Sequence, residues 1–132
     1  KAGLLDYGIY TDFQSKADRV KNDLINFLKK VQKRGESVVG YGAAAKGNTL
    51  INYAGINQSL LPLVCDASTW KQDKYLPGSL IPIFNPDIIT KKKPNYVLIL
   101  PWNLTTEIKN QLSFIRKWGG KFIRAIPKLQ VI

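Results

Sequence analysis

Residues 38–50 constrain the fold more than any other part of the chain. Two β-branched residues, Val38 and Val39, are followed by glycines and alanines and then by polar residues that lead into an apolar helical pattern. This order is typical of a strand, a tight loop and a helix. Small residues let the loop backbone approach a ligand, and the free N–H groups at a helix start attract anions. The stretch therefore predicts an anion-binding crevice.

The spacing of the small residues narrows the ligand class. Gly40, Gly42 and Ala45 fit the dinucleotide fingerprint G-x-G-x-x-G/A, and Asp66 stands about twenty residues further on, where a ribose-binding carboxylate is expected. A phosphate-loop NTPase is excluded, because that motif needs Lys and Ser or Thr directly after its second glycine. The alternative interpretation is that the small residues only allow the first strand and helix to pack closely.

Composition limits the chemistry available to the chain. Its 132 residues are the size of one domain, with a net charge of +11, no histidine and one cysteine. The commonest general base and metal ligand is thus missing, so we expect neither a metal site nor a catalytic residue. Cys65 lies in an apolar run and indicates a buried thiol in a reducing cytoplasm. No apolar run is long enough for a membrane span, so no membrane association is expected.

The positive charge favours polyanions or phosphorylated ligands, but the basic residues are scattered along the chain. The one basic run, residues 91–93, has no interleaved aromatic residue of the kind that single-stranded nucleic-acid grooves use. Nucleic acid is therefore not an expected partner. A basic nucleic-acid-binding protein remains an alternative that only the net charge supports.

Taken in order, the chain alternates between helices and strands. Residues 1–10 are interpreted as a linker from an upstream domain, and residues 11–132 as one domain whose first helix starts at a capping box of Thr11 and Gln14. The pattern predicts a Rossmann-like three-layer α/β domain with a mainly parallel sheet of five to six strands. The predicted strands are residues 38–41, 61–65, 81–84, 96–100, 121–125 and 129–132, and the later helices start near Ala45, Asn85 and Asn103.

Four segments in the same order resemble a known family: residues 40–50, 71–78, 81–83 and 98–103. Together they resemble the C-terminal domain of the SAM-dependent C-methyltransferases of deoxysugar biosynthesis. That resemblance implies an upstream zinc-binding domain, a central domain that binds S-adenosylmethionine and supplies the base, and this Rossmann-like domain, which holds a nucleotide-linked keto-deoxysugar. It implies that the partners of the chain are the nucleotide-sugar and the upstream methyltransferase domain, and that the isolated chain is inactive.

The candidate substrate-binding residues follow from the glycine-rich loop and the ends of the strands. We place the first group in the crevice, with Lys46 as the main cation beside the helix start: Gly42, Ala43, Lys46, Gly47 and Asn48. Asp66 is interpreted either as a hydroxyl-binding residue or as the cap of the next turn. Lys46 has the alternative of a solvated surface lysine.

Three further candidates have strong structural alternatives. Tyr75 and Trp102 are candidate platforms for the base or sugar, although aromatic residues more often belong to the core. Asn103 is a candidate polar contact that can equally be a helix cap. A competing function for the whole chain is a free-standing NAD(P)-binding or nucleotide-binding module, which the fingerprint and Asp66 support.

Overall fold

The computed structural model describes the backbone of residues 2–126 and 128–132 and the side chains of residues 14–126 and 128–132. Helices and strands alternate along this part of the chain, with two 3-10 segments at Trp102–Leu104 and Ser113–Trp118. The helices are α1 (Ala2–Lys33), α2 (Ala45–Ala54), α3 (Asp87–Lys92) and α4 (Thr105–Gln111). The strands are β1 (Val38–Tyr41), β2 (Val64–Cys65), β3 (Ile83–Phe84), β4 (Tyr96–Ile99), β5 (Lys121–Arg124) and β6 (Gln130–Val131).

The six strands form one sheet in the order β3-β2-β1-β4-β5-β6. The pairs β1–β2, β1–β4, β2–β3 and β4–β5 are parallel, and β6 is antiparallel to β5. The direction in which the chain adds strands reverses between β1 and β4, which is the topological switch point of a Rossmann fold. The predicted fold class and mainly parallel sheet are confirmed.

Helices cover both faces of the sheet, so the domain has three layers. On one face Val38 and Leu98 belong to a core cluster with residues of α1 and α2. On the other face Val39 and Val97 belong to a cluster with residues of α3 and α4. Because successive strand residues point to opposite faces, a strand covered on both sides must be apolar throughout. Every residue of β1 and β4 is accordingly buried.

The predicted start of the first helix is wrong. The backbone is already helical at Ala2 and remains so to Lys33, so Thr11 lies inside α1 and the predicted capping box does not form the helix start. No proline interrupts residues 2–33, and adding a residue to an existing helix costs far less than starting one. A polar pair with capping spacing therefore does not end a helix that its neighbours continue. The interpretation of residues 1–10 as a linker remains an expectation.

Strands β2 and β3 are shorter than predicted because each is preceded by a proline. Pro62 and Pro82 have no N–H to donate to the ladder, so pairing begins only at Val64 and Ile83. The carbonyl of Pro82 still accepts a hydrogen bond from the Val64 N–H at 3.0 Å. Leu61 is fully buried although it lies outside the strand. The apolar run of residues 61–65 therefore predicted correctly that this segment belongs to the core, but it did not predict which residues pair in the sheet.

The prediction that Asn103 caps the following helix is also wrong. Asn103 lies inside the 3-10 turn Trp102–Leu104, and α4 begins at Thr105 with no side chain capping its first N–H groups. The Thr105 hydroxyl instead donates a hydrogen bond of 2.5 Å to the Trp102 carbonyl. The chain must turn sharply after β4, and the tighter 3-10 geometry accomplishes this turn before the α-helix starts.

None of the helices that the structure describes is long and apolar enough to cross a membrane.

Candidate functional site

A cleft of about 280 Å³ opens at the carboxyl ends of β1 and β4, at the switch point of the sheet. Ligands of open α/β sheets bind at this place because the loops that follow neighbouring strands diverge there. Its walls come from the loop after β1, the loop after β2 and helix α4. The lining residues are Tyr41, Gly42, Ala44, Asp66, Ala67, Lys71, Pro101, Leu104, Glu107, Ile108 and Gln111.

Gly42 allows the loop after β1 to lie directly against the end of β4. Its φ is +88°, and a Cβ at this position would lie 2.5 Å from the Pro101 Cδ. Only glycine adopts this backbone conformation without strain, and only glycine leaves room for the proline ring. The close approach of this loop to Pro101 therefore depends on Gly42.

Gly47 has a different role, in the packing of α2 against the sheet. A Cβ here would lie 2.6 Å from the Leu100 Cβ and 3.3 Å from the Leu100 Cα. Gly47 is buried in this contact and does not line the cleft. The structure thus supports the close-packing interpretation for Gly47, which lies two residues beyond Ala45, the third small residue of the dinucleotide fingerprint.

The N–H groups of the loop itself are largely used by the protein. The Gly42 N–H donates to the Cys65 carbonyl at 2.7 Å, and the Ala44 N–H donates to the Gly42 carbonyl at 2.8 Å. The Ala43 N–H donates to Asp66 Oδ2 at 2.7 Å. The first N–H that closes a turn of α2 is that of Asn48, which donates to the Ala44 carbonyl. The backbone donors that remain for an anion are those of residues 45–47, at the helix start.

Asp66 fastens two loops to one another. Its Oδ2 accepts from the Ala43 N–H, and its Oδ1 accepts from the Ser68 N–H at 2.8 Å. The side chain is only 14% exposed. Of the two interpretations of Asp66, the structure shows the cap of the next turn directly, through the Ser68 N–H. Each carboxylate oxygen already accepts a backbone N–H at the place where a ribose hydroxyl would bind. Asp66 nevertheless lines the cleft, as predicted for an acid at the end of β2.

Lys71 is a cleft residue that we did not select as a site residue from the sequence. Its Nζ donates to the Ala43 carbonyl at 3.1 Å and lies 3.8 Å from Asp66 Oδ2. Gln72 anchors the same loop through a hydrogen bond of 2.9 Å to the Asp66 carbonyl. The signal in the sequence was the long loop after β2, which has no helical or strand period and therefore indicates a functional connection.

Helix α4 supplies the opposite wall, which was also missed. Glu107 and Gln111 lie one helical turn apart and line the cleft together with Ile108, and Leu104 lines it from just before the helix. The wall could have been predicted from the switch-point rule, because the ligand crevice lies between the loops that follow β1 and β4, and α4 follows β4. We looked instead to Trp102 and Asn103, the residues immediately after the strand.

Seven predicted site residues lie outside the cleft lining: Ala43, Lys46, Gly47, Asn48, Tyr75, Trp102 and Asn103. Lys46 is exposed at the start of α2. Tyr75 is 60% exposed and forms an isolated bridge with Pro82 on the β3 side of the sheet. The Oδ1 atom of Asn48 is buried without a hydrogen-bond partner among the described residues. Gly42 and Asp66 are the predicted residues that the structure brings into the lining, with Ala43 held between them.

Two titratable side chains at the ends of β1 and β2 are kept neutral. Burial, with the Asp66 charge as a smaller cause, raises the pKa of the Cys65 thiol to about 12. The same two causes raise the pKa of Tyr41, whose ring lines the cleft. At neutral pH the cleft therefore contains a neutral phenol, and Cys65 is a buried thiol rather than a nucleophile.

The resemblance implies that zinc and S-adenosylmethionine are bound by domains other than this one. A zinc site needs a set of Cys, His or acidic ligands, and the chain has no histidine and one buried cysteine. No group of three such residues lies close together in the part of the chain with described side chains. S-adenosylmethionine, like a dinucleotide, offers ribose hydroxyls to the acid after the second strand, and each Asp66 oxygen already accepts one backbone N–H group there.

Comparison with known proteins identifies the family. A family model described as the C-methyltransferase C-terminal domain matches residues 1–127. The chain is 35% identical over 131 residues to the C-methyltransferase NovU of Streptomyces niveus. The matched region covers 98% of this chain and 31% of that relative. The chain thus spans about a third of the length of this curated relative.

A solved structure shares the fold. The UDP-D-quinovosamine 4-dehydrogenase from Vibrio fischeri matches with a TM-score of 0.53 and 21% identity, over 74% of this chain and 93% of that chain. This likeness shows the Rossmann-type architecture alone. The family model covers nearly the whole chain and confirms the resemblance that was inferred from the sequence motifs. The chain belongs to the C-methyltransferase C-terminal domain family.

Proposed function

We propose that this chain holds a nucleotide-linked keto-deoxysugar within a SAM-dependent C-methyltransferase of deoxysugar biosynthesis. Other domains of the full-length protein supply S-adenosylmethionine, zinc and the base that removes the proton beside the keto group. Family membership supports this proposal, as does the length of the relative, of which this chain covers 31%. The upstream methyltransferase domain is then the protein partner of this chain.

The observation that carries the proposal is the composition of the cleft at the switch point. Its lining combines apolar side chains from α4 and the end of β4 with one lysine and with hydrogen-bonding side chains. Nucleotide-sugars have the matching parts: an anionic diphosphate between a planar base and a hydroxyl-rich ring. A mostly apolar cleft with a few placed polar groups is the usual form of a small-molecule site.

The competing function, an NAD(P)-binding module, has less support from the same geometry. Dinucleotide binding uses free N–H groups in the glycine-rich loop and an acid that is free to bind the ribose. Here the N–H groups of Gly42, Ala43 and Ala44 are bonded within the protein, and Asp66 binds the backbone through both oxygens. A nucleotide-sugar held mainly by side chains does not need these donors.

Titration of the 132-residue chain with dTDP-glucose and with NADH separates the two functions. Three tryptophans allow the titration to be followed by intrinsic fluorescence, and calorimetry gives an independent affinity. We expect saturable binding of dTDP-glucose and weaker binding of NADH. Tighter binding of NADH would overturn the proposal in favour of a dinucleotide module, and no binding of dTDP-glucose would remove the substrate-holding role.

A further inference from the structure

The two polar ends of the cleft come from opposite sides of β1. Lys71 belongs to the loop that follows β2, whereas Glu107 and Gln111 belong to α4, which follows β4. Both strands neighbour β1 in the sheet. Adjacent strands are about 4.8 Å apart, so the elements that carry the two ends are separated by about 10 Å across the sheet. This separation is comparable to the length of a small ligand that spans the cleft.

Lys71 has donors left for a ligand. An ammonium group has three N–H donors, and the Ala43 carbonyl accepts one of them at 3.1 Å. Lys71 Nζ and Asp66 Oδ2 form an ion pair at 3.8 Å, but this distance is too long for a hydrogen bond, so the pair uses none of the three donors. The two Asp66 oxygens already accept backbone N–H groups, which share the negative charge of that carboxylate. The Lys71 side chain is 47% exposed, so a ligand in the cleft can reach it.

The opposite end has the reverse polarity. An ionised glutamate only accepts hydrogen bonds, and it repels an anion. Neither Glu107 nor Gln111 forms a hydrogen bond or ion pair with another described side chain, and both are exposed on the wall of the cleft. Leu104 and Ile108 lie beside them and offer an apolar surface. Such a wall suits a neutral group that has O–H or N–H donors and an apolar face.

We infer that the cleft has a direction: it places the anionic group of its ligand against Lys71 and a neutral hydrogen-bond donor against Glu107 and Gln111. This inference rests on the proposed function and adds to it the orientation of the bound molecule and the residues that set it. Lys71, not Lys46, is then the cation that binds the anion, because Lys71 lines the cleft and Lys46 does not. The donor at the Glu107 end is either a hydroxyl of the sugar or the imide N–H of the base.

The test measures the affinity of dTDP-glucose for the wild-type chain and for Lys71→Met, with Lys46→Met as the matched control. Loss of a charge-assisted hydrogen bond is expected to weaken binding by about ten- to a hundredfold in Lys71→Met. Lys46→Met is expected to change affinity less than twofold. Raising the salt concentration should weaken binding to the wild type and to Lys46→Met, but hardly to Lys71→Met, because screening acts on the removed charge.

Lys71→Arg separates charge from loop support, since Lys71 also bonds to the Ala43 carbonyl. Arginine keeps the charge and the donors, so this variant is expected to bind within about fivefold of wild type. If Lys71→Arg binds as weakly as Lys71→Met while its thermal unfolding is unchanged, the charge is not responsible and the inference is overturned. Equal affinities of Lys71→Met and Lys46→Met for dTDP-glucose would also overturn the inferred direction of the cleft. The proposed substrate-holding function would not be affected by this result if the wild-type chain binds dTDP-glucose.

Glu107→Ala, titrated with thymidine and with glucose 1-phosphate, identifies the neutral end. If the base faces Glu107, thymidine alone loses affinity in this variant, and if the sugar faces Glu107, glucose 1-phosphate alone does. Either result supports the direction of the cleft. Unchanged affinity for both probes and for dTDP-glucose would overturn the role of Glu107. Failure of the wild-type chain to bind dTDP-glucose would instead refute the proposed function itself.

Discussion

Replacing Gly47 by alanine tests how closely α2 packs on the sheet. The new Cβ would lie 2.6 Å from the Leu100 Cβ, which is about 0.8 Å short of the 3.4 Å at which ordinary contact begins. The neighbouring atoms are the Cβ and Cα of Leu100 rather than the end of a flexible side chain. Leu100 is buried directly after β4, so it cannot turn away. The helix must shift, or the end of β4 must.

Two opposing effects decide the size of the change. Overpacking a tight contact costs about 1–3 kcal/mol, and the rigid partner favours the upper part of this range. Alanine in a helix is about 1 kcal/mol better than glycine. The expected net loss in the free energy of unfolding is therefore about 1–2 kcal/mol. For a chain of this length, the loss corresponds to a decrease in Tm of about 4–7 °C.

Scanning calorimetry of the 132-residue chain measures this decrease. Lys46→Ala is the matched control, because Lys46 is an exposed residue in the first turn of the same helix. Its Tm is expected to remain within about 1 °C of wild type. A Tm of Gly47→Ala equal to or above that of the wild type would refute the reasoning, since helix propensity would then outweigh a contact that the structure makes too short to relax.

The remaining predictions concern a thiol, a hydrogen bond and activity. Cys65, whose pKa burial raises to about 12, should resist alkylation by iodoacetamide at pH 8 and react fully in urea, as mass spectrometry will show; rapid modification of the folded chain would contradict its buried position. The hydrogen bond from the Tyr53 hydroxyl lowers the pKa of Asp18 below its ordinary value of 3.8. The stability that this hydrogen bond contributes through ionised Asp18 is present above pH 3.8 and is lost as the pH falls through the lowered pKa of Asp18. The stability difference between wild type and Tyr53→Phe in urea should consequently shrink below about pH 4, and a constant difference would exclude this source. Incubated with labelled S-adenosylmethionine and a keto-sugar nucleotide, the chain alone should transfer no methyl group; measurable transfer would place the base and the cofactor site in this chain.

Local sequence patterns were sufficient for the elements at the centre of the fold. Strand β1 and helix α2 have the predicted bounds, because β-branched residues, small loop residues and a glycine stop agree with one another there. The alternation of strands and helices likewise gave the parallel sheet, since parallel strands require crossovers. Backbone chemistry decided the deviations: Pro62 and Pro82 shortened two strands, and a continuous helix overrode the capping pair at Thr11.

The site was only partly accessible from the sequence. Gly42 and Asp66 were found because the fingerprint fixes them relative to the first strand. The sequence could not show that the loop N–H groups are used internally, since this depends on how close the loop after β2 comes to the loop after β1. Nor could it place Lys71 and Glu107 in one cleft, because they are 36 positions apart along the chain. They line the same cleft only because β2 and β4 are both neighbours of β1 in the sheet. The sequence determined the fold and the edge of the sheet at which the cleft opens; tertiary structure decided which side chains line it, because side-chain neighbours across a sheet are set by strand order and not by distance along the chain.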